Sequence, residues 1–306
     1  MQKIIIIFFI LLQSVTLESL TTTISKILIN SKLKVAGNNN YGKAIDITTY
    51  IDRSVFRCLF QAGFTIAFIR VYMSNGNGTV DINSASNIYN AASEGMGTEI
   101  YVEPQPRGTK SGSEQFMEAY TFLTKKGIAV RTIWIKITSP INWPNNQTAN
   151  TDFINKFILC AWQHGLLVGI YTNWYDWEQI IAGQITPNQR QIRLWYWNLL
   201  GSSLNDATPP TFDDFRPFGG FNAPMVKQYV KNTPICGICA SLNVYLKRSG
   251  TKVLLADMRV EMANVTVDNL PVTLPIVAKF SEKQLQSKQL GQKLTTYRNK
   301  TSLLIH

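Results

Sequence analysis

The residues best suited to chemistry in this sequence gather at one recurring place, the ends of its short apolar runs. The first run reads Ala44-Ile-Asp-Ile47 and carries Asp46. The third carries Glu99, Tyr101 and Glu103. A strand's two-residue period puts those three on one face, with Glu103 outermost. Two carboxyl groups in unlike surroundings can serve as proton donor and acceptor, because burial favours the neutral acid and a nearby cation favours the carboxylate. The fourth run ends instead in Lys136 and Thr138. An ammonium cannot accept a proton, and a hydroxyl is far too weak an acid to donate one at neutral pH. Rings stand at or near the same ends: Tyr72, Tyr101, Trp143, Tyr171, Trp174 and Trp197. Such rings stack on a ligand or fill a core.

These residues need a frame that brings strand ends together. The apolar runs are Ala44–Ile47, Thr65–Tyr72, Thr98–Val102, Thr132–Thr138, Leu167–Thr172, Leu194–Trp197 and Ile235–Tyr245. They are rich in Ile, Val, Tyr and Trp, as buried strands are. Helical spacing fills several gaps, over Ile82–Glu94, Ser113–Lys126 and Asp152–Gln163. Each of these segments is followed or closed by a glycine suited to a left-handed cap, and Ser113 and Asp152 are N-cap candidates. Alternating strands and helices imply an α/β fold with parallel strands. No G-x-G-x-x-G follows the first run, so a dinucleotide-binding sheet lacks its signature. A closed barrel is the alternative, and its active sites lie at the C-terminal strand ends.

The strand-end motifs resemble glycoside hydrolase family 25, the Chalaropsis-type lysozymes, and most closely its nematode lysozyme-like branch. The motifs are Ile-Arg-Val-Tyr72, Thr138-Ser-Pro-Ile-Asn-Trp-Pro-Asn-Asn, Gly169-Ile-Tyr-Thr-Asn-Trp-Tyr-Asp-Trp177, Leu194-Trp-Tyr-Trp-Asn198 and Phe215-Arg-Pro-Phe-Gly219. The likeness spans Tyr41 to about Tyr245. It implies an irregular TIM-like (β/α)5(β)3 barrel acting on the glycan strand of bacterial peptidoglycan, between its two alternating amino sugars. Asp46 matches the Asp that ends the family's first strand. Lys136 and Thr138 fall where the family has Asp-x-Glu, its Glu being the proton donor, and Ser241 stands near another expected Asp. Two roles follow from the resemblance. In one, the chain is a muramidase with Glu103 as acid and Asp46 as base or stabiliser, and Asp176 also reaches the rim. In the other, an uncleaving cleft binds glycan with Tyr72, Tyr101, Trp143, Tyr171, Trp174 and Trp197. Blander roles stand beside these: Asp46 pairing with Lys136, Glu103 as a solvated loop residue, Glu99 pairing with Arg70 or Lys136, Trp134, Trp195 and Trp197 as core, and Asp213 and Asp214 as an exposed turn. The family also suggests a part in innate defence.

The rest of the chain sets the context. Lys3 followed by the unbroken apolar run Ile4–Leu12 reads as a signal peptide over 1–17. A polar leader over 18–40 precedes the barrel domain over 41–247, and a basic extension over 248–306 follows it. From Lys247 onward ten Lys or Arg face four Asp or Glu, within an overall charge of +11. That balance suits anionic partners, yet no nucleic-acid motif accompanies it and no later run is long enough for stable membrane insertion. The expected product is a secreted monomer, extracellular or lumenal, with bacterial cell-wall glycan as partner and no cofactor or metal. Cys58, Cys160, Cys236 and Cys239 suit an oxidising compartment. With His164 and His306 the only histidines, a structural disulfide through Cys236 is favoured over zinc. Asn77, Asn146, Asn264 and Asn299 open glycosylation sequons.

Overall fold

The computed structural model describes residues 40–181, 191–201 and 204–247. The expected signal peptide, the leader up to residue 39, the basic extension and the sequons at Asn264 and Asn299 lie outside the described residues. In chain order the elements are β1 (Tyr41–Ile47), α1 (Arg53–Gln61), β2 (Phe64–Met73), β3 (Thr79–Val80), α2 (Ser84–Ser93), β4 (Gly97–Val102), α3 (Gly112–Lys125), β5 (Thr132–Lys136), α4 (Gln147–Gln163), β6 (Leu167–Thr172), α5 (Trp174–Ile180), β7 (Arg193–Trp197), β8 (Val226–Ile235) and β9 (Ile238–Leu246). Eight strands close a barrel in the order β1, β2, β4, β5, β6, β7, β8, β9. Neighbours from β1 to β8 run parallel. β9 closes the ring, antiparallel to both β8 and β1. The short β3 sits outside it, antiparallel to β2. Five strand–helix units followed by three strands give the (β/α)5(β)3 barrel.

Local chemistry explains the element ends. Gly95, Gly127 and Gly165 follow α2, α3 and α4 with φ of +83°, +76° and +74°, the left-handed conformation that stops a helix. The helix starts differ from the sequence expectation. α3 is capped by Ser111, not Ser113: Ser111 accepts from the Glu114 backbone N–H while the Glu114 carboxylate bonds back to Ser111. α4 begins earlier than Asp152, capped by Asn146 accepting from the Ala149 N–H. Both caps satisfy donors that the first helical turn leaves free.

The barrel interior is filled by rings and made possible by absent ones. Phe68, Tyr101, Trp134, Tyr171 and Trp195 are fully or almost fully buried there, with Ala44, Ile66 and Val226 between them. A Cβ on Gly169 would meet Trp134 Cε3 at 2.0 Å, so the indole crosses the barrel only because β6 has no side chain at that point. Gly42 makes the same room for the Tyr245 ring. The interior is therefore a packed floor, and the barrel is open above it only at the strand ends.

Two ties hold the last strands. Cys58 on α1 is disulfide-bonded to Cys236 in the β8–β9 turn, 178 residues away. Cys160 and Cys239 are free thiols. Lys227 on β8, fully buried, is bonded to Asp214 Oδ2 at 2.5 Å and to the carbonyls of Pro209 and Thr211. Tyr196 and Asn198 donate to the same carboxylate. Asp214 thus anchors the loop before β8 and is not a simple exposed turn. No helix among the described residues is long and apolar enough to cross a membrane.

Candidate functional site

The C-terminal strand ends open into a cleft of about 550 Å³. Its floor is a charged triad built by three strands. β1 delivers Asp46, the end of β4 delivers Glu103, and β5 delivers Lys136. The Lys136 Nζ lies 3.7 Å from Asp46 Oδ2 and 3.4 Å from Glu103 Oε1. It also stands 4.2 Å above the Tyr101 ring centre and 5.0 Å from that of Tyr171, so two ring faces add to its stabilisation. Because one ammonium holds both carboxylates, the bonded oxygens are no more than ~7 Å apart. The second Glu103 oxygen receives Arg70 Nη1 at 3.1 Å, and Arg70 in turn holds Asp81 at 3.1 Å.

The two carboxyl groups meet unlike surroundings. Asp46 is buried, and Gln228 Nε2 donates to its Oδ2 at 3.1 Å while the Tyr171 hydroxyl bonds Gln228 Oε1 at 2.8 Å. Burial pushes the Asp46 carboxyl above its ordinary range. The Lys136 charge pulls the other way and is outweighed by desolvation. Glu103 is the more open of the two, with 29 % of its side chain exposed and both oxygens bonded to cations.

The wall beside β5 is a short turn over Pro140–Asn142 that follows Ser139 with φ of +57°. Arg107 ties that turn down by bonding the carbonyls of Ile141 and Trp143. Trp143 lines the cleft, buried, and donates its indole N–H to the Thr138 carbonyl at 3.1 Å. Thr138 also lines the cleft and donates its hydroxyl to Asp176 Oδ2 at 2.5 Å. Asp176 is 3 % exposed and does not reach the rim. Burial raises its carboxyl, with the Thr138 bond opposing. Ser241 on β9 pairs across the ladder with Asp46 and lines the cleft.

Of the residues singled out in the sequence, Asp46, Glu103, Trp143 and Tyr171 meet at the cleft. Tyr101 lies beneath Lys136 in the core. Tyr72 is buried with its hydroxyl on Glu118. Trp174 is 62 % exposed, and neither it nor Trp197 lines the cleft. Glu99 lies deep in the barrel and accepts the Trp134 indole N–H at 2.8 Å. Sequence reasoning missed Arg107, Gln228, Lys231 and Asn232, which all line the cleft. The last three belong to β8, a strand whose two ladder irregularities erase the two-residue alternation. The available signal was the polar residues Lys227, Gln228, Lys231 and Asn232 set among Val226, Tyr229 and Val230. Among the described residues no group of three or more His, Cys, Asp or Glu is arranged to hold a metal ion.

Comparisons with known proteins place this geometry. A family model described as Lysozyme-like protein 1 matches residues 37–229. Lysozyme-like protein 7 of Caenorhabditis elegans is 40 % identical over 244 residues, covering 79 % of this chain and 86 % of that one. Probable GH family 25 lysozyme 2 of Dictyostelium discoideum is 32 % identical over 203 residues, covering 66 % and 89 %. Among solved structures, the modular autolysin LytC of Streptococcus pneumoniae, determined with a synthetic peptidoglycan ligand, superposes with a TM-score of 0.50 at 15 % identity, over 69 % of this chain and 48 % of that one. With a family model matched over most of its length and a (β/α)5(β)3 barrel around the Asp46 cleft, this chain belongs to the lysozyme-like proteins of glycoside hydrolase family 25 type.

Proposed function

We propose that this chain is a secreted protein of innate defence whose cleft takes the glycan strand of bacterial peptidoglycan, with Asp46 and Glu103 as the carboxyl pair that cleaves it. The observation that carries this reading is the convergence of both carboxylates on Lys136, at the strand ends where barrel enzymes react. The relatives' lysozyme names and the peptidoglycan ligand of the pneumococcal autolysin support the substrate class. The Cys58–Cys236 disulfide supports an oxidising compartment. The two members of the pair meet unlike surroundings, Asp46 being buried and Glu103 held by both Arg70 and Lys136.

A second reading, binding without cleavage, is favoured by Lys136 itself. An ammonium bonded to both carboxylates opposes the positive charge that develops on the sugar in glycoside cleavage. Release of reducing ends from purified peptidoglycan, by native protein and by Asp46→Asn and Glu103→Gln variants, decides between them. Release lost in both variants supports the carboxyl pair. Release that persists in both puts the chemistry elsewhere. No release, with the native protein still retained on cell walls, selects binding alone.

A further inference from the structure

The ionic pairing in the cleft is unequal. Asp46 and Glu103 are the acidic residues that line it, against Arg107, Lys136 and Lys231. Lys136 is answered by two carboxylates, and Arg107 by two carbonyls. Lys231 has no ion pair among the described residues. Its ammonium lies 5.1 Å from the Trp197 ring centre, a contact that holds a cation without neutralising it. The backbone is shaped to present it. The β8–β9 ladder slips between Val230 and Thr233, Asn232 takes φ of +50°, and so the consecutive residues Lys231 and Asn232 both line the cleft. A regular strand would send one of them to the opposite face.

We propose that Lys231 is the centre of an anion subsite in this cleft, taking a carboxylate carried by the glycan strand. The inference rests on the peptidoglycan reading above and narrows it to strands that bear a free carboxylate. Two parts of that polymer supply one: the lactyl ether of its acid sugar, and the stem peptide. A neutral amino-sugar polymer supplies neither. Burial and the charge of Lys136 both press the Lys231 ammonium toward its neutral form, and a bound carboxylate relieves that pressure.

The test uses three soluble peptidoglycan glycan oligomers of equal length: peptide-free with lactyl carboxylates intact, the same oligomer converted to lactyl methylamides, and one carrying stem peptides. Their affinities for the full chain are measured by calorimetry at low and at high salt. Tighter binding of the intact acid than of the amide, by about tenfold at low salt and less at high salt, is expected, since the pairing is partly solvent-screened. If only the peptide-bearing oligomer outbinds the amide, the carboxylate recognised is the peptide's. Either preference should vanish in Lys231→Gln and survive in Lys231→Arg. Equal binding of all three by the native protein, or a preference unchanged by Lys231→Gln, overturns the subsite while leaving the glycan reading intact. Binding of none of them overturns both. If the Gln variant fails to fold, Lys231→Met, which keeps the length of the side chain without its charge, is read in the same way, and a preference it leaves unchanged overturns the subsite.

Discussion

Lys136 and Asp46 face each other at 3.7 Å in the mouth of the barrel, and the pair decides how the cleft behaves. The side chains are 12 % and 4 % exposed, so neither charge is freely hydrated. Removing one member of a buried pair strands the other, which costs more than the pair itself contributes.

Lys136→Met should therefore destabilise the barrel by about 3 kcal/mol near neutral pH. The pH dependence follows from the direction of the Asp46 shift. Its carboxyl is already raised by burial, and Lys136 is the charge that holds it down. Without that charge it rises further. A raised carboxyl contributes stability below its unfolded pKa and loses it as pH rises through the folded value. The deficit should be largest above neutrality and should shrink toward about pH 4, as measured by urea unfolding at both values. A deficit independent of pH would refute the pairing.

Asp176→Asn should have the opposite sign. The native carboxyl is buried and raised, so ionising it costs stability as pH rises. An amide keeps an acceptor for the Thr138 hydroxyl without the charge. Stability at about pH 8 should increase, and the gain should fade in acid. Thermal melting across pH checks it.

The disulfide joins the first helix to the last hairpin. Replacing Cys58 and Cys236 together by Ser releases a 178-residue closure, and chain entropy puts the loss at about 5 kcal/mol. Guanidinium unfolding of the double variant should show it. The same substitution at Cys160 should leave stability nearly unchanged, because that thiol is unpaired.

Gly169→Ala tests the barrel floor. The added carbon would overlap the Trp134 indole at 2.0 Å, and overpacking of this kind costs about 3 kcal/mol. A melting temperature equal to the native value would show that Trp134 has room to move.

Much of this arrangement was legible in the sequence, and the gaps have physical causes. Strands buried on both faces read as plain apolar runs, so β2, β4, β5, β6 and β7 stood out. The glycines after α2, α3 and α4 marked their ends because a left-handed residue favours Gly. α1 escaped notice because only Phe56 and Leu59 of its nine residues are buried. β8 escaped because Lys227 and Lys231 interrupt it, one satisfied by a loop carboxylate and the other turned into the cleft by the ladder slip. Asp46 and Glu103 were found from their place at strand ends. Which of the two is buried depends on Gln228, Tyr171 and the neighbouring strands, and a one-dimensional pattern holds no record of those contacts.

If this cleft receives the peptidoglycan glycan strand, filling it must block binding. The most direct test is the equilibrium affinity of a soluble peptidoglycan glycan oligomer for native protein and for Asn142→Trp, a substitution that sets an indole on an exposed cleft-lining position. Native protein should bind saturably, and the variant should bind at least about tenfold more weakly, which is ~1.4 kcal/mol, with no change in melting temperature. No binding by the native protein, or equal binding by the two, would contradict binding of the glycan in this cleft.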